Sequence, residues 1–390
     1  MKSLSTPGVL LVSAVVVALS FSGCGGPDIG VTGNEIKIGT WTPLTGPAAD
    51  LSTITRAMEA HFAYVNAEGG IHGRKLSLIV KDDAYNPSRT PEVVKQLVEE
   101  DRVFAILGGN GTANCLAVKP YLEMKFIPWI NPGSGSRVWT TPVNAYVFSI
   151  FPAYVTEGRI LASYAVNELQ GEKIGLFYQD DSFGHEGQEG VRLGLRDAGK
   201  DLEIAVAYQV GTEALSSQAQ QFKEAGVDAV LLWTIPEGAA ALVREFEQIE
   251  DFQPKLLASQ ILSDPLMFEL AGEGWEGAIV ASGVPDPESD EPQVVRAREL
   301  LAQYGADVQV GAFAMLGLSR SELLVEGLRR AGPELTRLKL IHALESMDGW
   351  SDNFLGRPIS FSAENHQGLN AVRLMRATEG RYVYLTDWLE

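Results

Sequence analysis

Short apolar runs alternate along this chain with longer stretches whose apolar residues recur every three or four positions. The first pattern reads as buried strand and the second as helix with one buried face. Glu35 to Thr40 is a strand that runs into the loop Trp41-Thr42-Pro43-Leu44-Thr45-Gly46-Pro47. In Thr53 to Ala67, Ile54, Met58, Phe62 and Val65 repeat at helical spacing, and Glu68-Gly69-Gly70 supplies the glycine expected past a helix end. Lys75 to Val80 is the next strand, closed by Lys81-Asp82-Asp83, and Pro91 to Glu100 is a helix. The alternation continues with strands at Lys173 to Tyr178, Ile204 to Tyr208, Asp228 to Trp233, Lys255 to Ala258 and Ala278 to Ala281. Between them lie helices at Gly187 to Ala198, Gln218 to Ala225 and Glu237 to Ile249, with Gln179 to Gly184 as a loop. A β-α-β-α order of this kind predicts an α/β protein with doubly wound parallel sheets. Ser149 to Pro152 ends one unit before a helix over Val155 to Leu169. The Pro- and acid-rich stretch Gly283 to Pro292 marks a second break. Helices over Val294 to Tyr304 and Ala312 to Ala331 then predict a late return to the first unit.

The most informative stretch is Ala105 to Ser136. Phe104 to Leu107 and Phe126 to Ile130 are short strands, each followed by a turn rich in glycine and hydroxyls. The first turn is Gly108-Gly109-Asn110-Gly111-Thr112 and the second Asn131-Pro132-Gly133-Ser134-Gly135-Ser136. Adjacent parallel strands place such turns side by side at their carboxyl ends, where open α/β sheets bind ligands. Glycines let backbone N–H groups approach an anion, and a helix N-terminus favours negative charge. Asn110, Gly111, Thr112, Gly133, Ser134 and Ser136 are therefore candidates to hold a carboxylate. Two tight turns selected for geometry alone remain the alternative.

Charge narrows the field. The 390 residues carry a formal net charge of −19, with pI about 4.7. A general basic face for nucleic acid or anionic membrane is thus not expected. Lys2, an apolar run from Val9 to Phe21 and Ser22-Gly23-Cys24 form a secretory signal rather than a membrane span. The run ending at Cys24 resembles the lipobox of bacterial lipoproteins, although Phe21 stands where that pattern prefers Leu. The reading is a signal peptide over 1–23, a lipid on Cys24 and a tether over 24–33, leaving the protein anchored at the extracytoplasmic face of the cell envelope. Cys115 is then the only other thiol, a buried apolar side chain, and no intramolecular disulfide is expected.

Catalytic patterns are missing. There is no Gly-x-Ser-x-Gly, no phosphate loop and no His-Glu-x-x-His. Gly109-Asn110-Gly111-Thr112 begins like a dinucleotide fingerprint but has Asn114 where the third glycine belongs. His61, His72, His185, His342 and His366 are scattered without metal-ligand spacing. Neither enzyme activity, metal nor cofactor is expected.

Three runs carry a family resemblance: Trp41 to Pro47, Asn66-Ala67-Glu68-Gly69-Gly70-Ile71-His72-Gly73-Arg74-Lys75-Leu76, and Lys81-Asp82-Asp83. They resemble the opening of the branched-chain amino-acid-type periplasmic binding proteins, extracytoplasmic solute receptors of ABC importers. The resemblance implies two Rossmann-like lobes joined by three crossovers near Ile150, Ser282 and Ser360. Lobe 1 would comprise 34–150 plus 283–360, and lobe 2 151–282 plus 361–390. It implies a monomer that closes by hinge motion on a small carboxylate-bearing ligand, an amino acid or a related organic acid or amide, and delivers it to a membrane permease. A ligand sensor of the same fold is the alternative; the lack of a signalling domain before Glu390 is taken to favour uptake.

By the same resemblance, Thr112, Gly133, Ser134 and Gly135 hold the ligand carboxylate, and Phe183 before Gly184 contributes an aromatic wall from lobe 2. Where the family places an acid for the ligand ammonium, this chain has Gln260, so Asp180, Asp181 and Glu237 are the acids that remain to be considered. Tyr85 and Gly111 stand near the positions of a cysteine pair found in some members. Leu51 occupies an aromatic-wall position, which leaves Trp41 and Trp233 as stacking candidates.

Overall fold

The computed structural model describes residues 28–390. The expected signal peptide, Cys24 and the start of the tether lie outside the described residues. The strands are β1 Glu35–Thr42, β2 Lys75–Asp82, β3 Ala105–Leu107, β4 Trp129–Ile130, β5 Val147–Phe148, β6 Ile174–Gln179, β7 Ile204–Tyr208, β8 Ala229–Trp233, β9 Lys255–Ala258, β10 Ile279–Ser282, β11 Arg373–Thr378 and β12 Arg381–Tyr384. The helices are α1 Ser52–Ala67, α2 Thr90–Lys95, α3 Thr112–Met124, α4 Tyr154–Asn167, α5 Ser182–Asp197, α6 Ser216–Ala225, α7 Pro236–Glu247, α8 Leu266–Ala271, α9 Pro292–Tyr304, α10 Ala312–Ala331 and α11 Arg337–Glu345.

The strands form two sheets. One has the order β2-β1-β3-β4-β5 and is parallel throughout. The other has the order β12-β11-β10-β9-β8-β6-β7. Its strands β6 to β10 are parallel, but β11 runs antiparallel to β10 and to β12. A fully parallel reading therefore fails at this edge. The turn Glu379-Gly380, with both residues at positive φ, closes a hairpin that needs no crossover helix.

The β-α units wrap each sheet on both faces, so the strands are apolar on both sides. One face of the first sheet packs on α1 and the late helices, through Ile38, Met58, Phe62, Leu318, Leu324 and Leu340. Gly317 lets α10 lie against α1; a Cβ there would stand 2.1 Å from the carbonyl oxygen of Ile54. The other face packs on α2 and α3 through Val94, Leu97, Cys115 and Val118. In the second sheet, Leu176, Leu231 and Leu257 face α4 and α5, while Phe177, Leu232 and Ala258 face α6 to α8. Late in the chain, Leu369 still packs in the first core and Val372 already in the second.

Helix α5 begins at Ser182, five residues before the sequence pattern places it. Asp181 caps it, accepting from Phe183 N at 2.9 Å and Gly184 N at 3.3 Å. Glycines inside the helix are contact points. Gly190 and Gly194 let α5 lie directly on α4, where added Cβ atoms would fall 2.8 and 2.6 Å from the carbonyl oxygens of Val155 and Arg159.

Candidate ligand-binding site

The site starts from the turn after β3. Gly108, Gly109 and Gly111 have φ of +70°, +77° and +93°, a region L side chains rarely adopt. A Cβ on Gly109 would stand 2.3 Å from the Trp41 ring. Trp41 is thus the buried floor of the turn, and its ring lies 5.5 Å from that of Trp129. The second turn presses against the first: Asn110 and Gly133 form a bridge, and a Cβ on Gly133 would fall 1.9 Å from the carbonyl oxygen of Gly109.

Polar groups converge where the turns touch. Helix α3 begins at Thr112, so its first N–H groups have no intrahelical partner. Thr112 Oγ1 lies 2.9 Å from Ser134 Oγ, which accepts from Ser136 N at 3.2 Å. Asn110 donates to Thr42 Oγ1 at 3.1 Å and accepts from Arg320 Nη1 at 3.1 Å. From the opposite body, Tyr154 at the start of α4 brings its hydroxyl to 3.5 Å from Thr112 Oγ1. Burial pushes that phenol well above its usual range.

These groups line one cavity between the two sheets. The first body supplies Leu51, Ile54, Tyr85, Asn110, Gly111, Thr112, Gly133 and Arg320. The second supplies Tyr154, Phe183, Ile235 and Ile261. The cavity is about 20 Å³, room for roughly one water molecule. Apolar contact between Leu51 and Ile54 on one side and Ile235 on the other helps to draw the bodies this close.

Of the residues singled out from the sequence, Asn110, Gly111, Thr112, Gly133 and Phe183 line the cavity. Ser134 lies just behind Thr112. Ser136 turns elsewhere: its hydroxyl donates to Glu186 of α5, and Arg137 beside it donates to Glu189 at 2.9 Å. Together they clasp the two bodies. Trp41 and Trp233 are both fully buried behind the wall. Trp233 supports Tyr154 and Phe183, with ring centroids 5.8 and 6.0 Å away, and Gly187 lies flat on its face.

Gln260 also turns away from the cavity. Its backbone N and Nε2 each donate to the Glu157 carboxylate at 2.6 Å. Glu157 is completely buried on α4, and that burial pushes its carboxyl up to about 7 against the two hydrogen bonds that favour the charged form. The folded state therefore holds this proton more tightly than the unfolded chain. Its contribution to stability is complete below pH 4.5 and is lost as pH rises through 7. Between pH 5 and 8.5, Glu157→Gln is expected to flatten the decline in unfolding free energy by on the order of 2 kcal/mol. Urea titrations of parent and variant across that range check this; parallel pH curves would refute it.

Asp181 and Asp180 are engaged elsewhere, whereas Glu237 Oε2 is buried without a hydrogen-bond partner. Asp181 caps α5, and Asp180 pairs with His185 at 3.2 Å and accepts from Gln209 at 2.9 Å. Glu237 lies beside the Asp50 carboxyl, and burial above all pushes it up to about 7. No acidic side chain is among the cavity's lining residues. The sequence reading passed over Tyr154 and Arg320. Arg320 did carry a signal: it falls in step with Phe313, Leu316, Leu323 and Leu324, so a charge sits on the apolar stripe of α10.

Among the described residues no group of three or more His, Cys, Asp or Glu is placed to hold a metal, and no helix is long and apolar enough to cross a membrane. Cys115 is buried, and burial pushes its thiol far above the range in which it would be nucleophilic.

The comparisons agree with this architecture. The family model described as periplasmic binding protein matches residues 35–381. A Leu/Ile/Val-binding protein homolog 2 of Brucella abortus is 22% identical over 355 residues, 90% of this chain and 93% of the relative. The valine-bound branched-chain amino acid ABC transporter protein of Thermus thermophilus superposes with TM-score 0.84 at 22% identity, covering 91% of this chain and 97% of that one. The fatty acid ABC transporter substrate-binding protein of Thermomonospora curvata gives TM-score 0.84 at 23% identity, covering 93% and 94%. The chain belongs to the periplasmic binding protein family, a family of solute-binding proteins, and carries the two-lobed fold of its branched-chain amino-acid type.

Proposed function

We propose that this protein is an extracytoplasmic receptor that captures a small carboxylate-bearing solute between its lobes and presents it to the permease of an ABC importer. One observation carries the reading. Two touching glycine turns bring Asn110, Gly111, Thr112 and Gly133 to one wall of a cavity whose opposite wall is Tyr154, Phe183, Ile235 and Ile261. Donors on one lobe and an apolar wall on the other fit a molecule with an anionic head and a hydrophobic body. The cargoes named for the relatives, branched-chain amino acids in one case and fatty acids in another, share such a head.

The lobes part to admit the solute, because the closed cavity is too small for it, and they pivot at strands that pass from one sheet to the other. We place those passages near Ile150, near Gly283 and between Leu369 and Val372, where the chain leaves one core for the next. Ser136, Arg137, Glu186 and Glu189 hold the closed form from the rim. A lipid on Cys24 would keep the receptor beside its permease as a monomer.

A ligand that binds only the folded protein stabilises it, by about 2.7 kcal/mol at a hundred times its dissociation constant. A thermal-shift screen of small carboxylates, amino acids and amides is expected to yield compounds that raise the melting temperature. Failure of every class in that screen would remove this reading.

A further inference from the structure

Arg320 is the one charged side chain in the cavity lining, and it is 1% exposed. It comes from α10, inside the first lobe, and reaches the underside of the glycine turn. A Cβ added to Gly108 would lie 3.2 Å from its Nη1. Among the described residues it joins no ion pair; its single hydrogen bond is the 3.1 Å contact to the neutral amide oxygen of Asn110. Its Nε is buried without any partner. The buried carboxylate at the end of β2, Asp83, spends its oxygens on Thr90, Asn114 and the N–H of Tyr85. An unpaired buried charge is costly to the folded protein unless something else completes it.

We propose that Arg320 is the counter-charge of the bound solute, and that the solute is therefore a monocarboxylate with an apolar body and no ammonium group. The assignment rests on the receptor reading above and narrows it. A guanidinium offers a fork of donors matched to a carboxylate. Beside it stand Thr112 and the first N–H groups of α3, which favour the same charge. Burial pulls the guanidinium down to about 10, so it stays charged at neutral pH. No carboxylate lines the cavity to meet an ammonium: Glu157 is held by Gln260, Asp181 by its cap, and Glu237 lies beside the Asp50 carboxyl. An α-amino acid would bury its positive group near Arg320 without a partner. A deaminated acid of the same shape has no such penalty.

The test is calorimetric titration at pH 7 with matched probes: 4-methylpentanoate against leucine, 3-phenylpropanoate against phenylalanine, and each acid against its primary amide. The expected order is acid above amide and acid above amino acid, each by about tenfold or more. Arg320→Met is expected to weaken the acid by about tenfold to a hundredfold while leaving the amide nearly unchanged, as loss of a charge-assisted hydrogen bond predicts. Arg320→Lys should recover part of the loss, because it keeps the charge without the fork. If the amino acids bind the parent protein more tightly than the deaminated acids, the receptor stands and the Arg320 assignment falls. Acid affinity unchanged in Arg320→Met has the same meaning. Should that variant not fold, the ranking on the parent protein decides alone. If no probe of any class binds, the receptor reading fails and this proposal with it.

Discussion

Gly109→Ala is expected to destabilise the protein by roughly 2–4 kcal/mol, whereas Gly73→Ala costs about 1–2 kcal/mol. The two glycines have the same φ of +77°, so both substitutions force an L residue into the left-handed region. They differ in surroundings. A Cβ on Gly73 meets nothing within 4 Å, but one on Gly109 lands 2.3 Å from a carbon of the Trp41 ring. Trp41 cannot retreat, because it is fully buried against Trp129, which in turn packs on Trp139 at 5.3 Å. The difference between the variants thus measures the rigidity of the floor beneath the glycine turn. Urea unfolding of both, with m-values compared, provides it. Equal losses would mean that the indole stack yields, and that the turn is not held in place from below. Gly109→Ala should also disturb the neighbouring bridge from Asn110 to Gly133, and with it the spacing of the two turns.

Most of the fold was legible because each α/β unit announces itself locally. Strand β8 is an unbroken apolar run, and α1 shows its buried face at three- and four-residue steps. The turns after β3 and β4 could be read as a ligand site because glycine and hydroxyl residues cluster there for reasons independent of the rest of the chain. The errors arose where long-range packing overrides local pattern. Ser182 to Gly184 look like loop but form the first turn of α5, capped by Asp181. The expectation of parallel sheets fails at the chain's end, where β11 pairs backwards with β10.

The site residues divide along the same line. Thr112 and Gly133 line the cavity because their own turns place them there. Trp41 and Trp233 are stacking candidates because Leu51 leaves the aromatic-wall position without a ring, yet that vacancy says nothing of their depth. Both are buried under the wall, where they fix the orientation of Gly109 in one lobe and of Tyr154 and Phe183 in the other. Gln260 stands where the family pattern puts an acid. Its partner Glu157 comes from a helix more than a hundred residues earlier in the chain, and no local pattern joins them. What the sequence did hold was a violation of period. Glu157 falls in step with Tyr154 and Leu161, as Arg320 does with Leu316 and Leu323, so each puts an ionisable group on a buried stripe. A charge in phase with the core has to be satisfied by something, and Gln260 does this for Glu157 inside the protein.

Thr112→Ala is expected to weaken binding of a carboxylate ligand by about tenfold to a hundredfold with little effect on the unliganded fold. A hydrogen bond to a charged group contributes roughly 1.5–3 kcal/mol, and each 1.4 kcal/mol is a factor of ten. Thr112 Oγ1 joins Ser134 of the same lobe at 2.9 Å and Tyr154 of the other at 3.5 Å. Removing the hydroxyl leaves Ser134 still accepting from Ser136 N, so the second turn keeps an internal bond. Helix α3 is capped by Gly111 without a side-chain bond, so its start does not depend on Thr112 either. Thr112→Ser restores the hydroxyl and removes only a methyl group, and it should return most of the affinity. Titration of parent, Ala and Ser forms with one carboxylate probe, beside melting curves without ligand, separates the two roles. Equal affinity in all three forms would move the anion away from these turns. A large drop in the unliganded melting temperature for Ala alone would instead make the Thr112–Ser134–Tyr154 contact a structural clasp between the lobes.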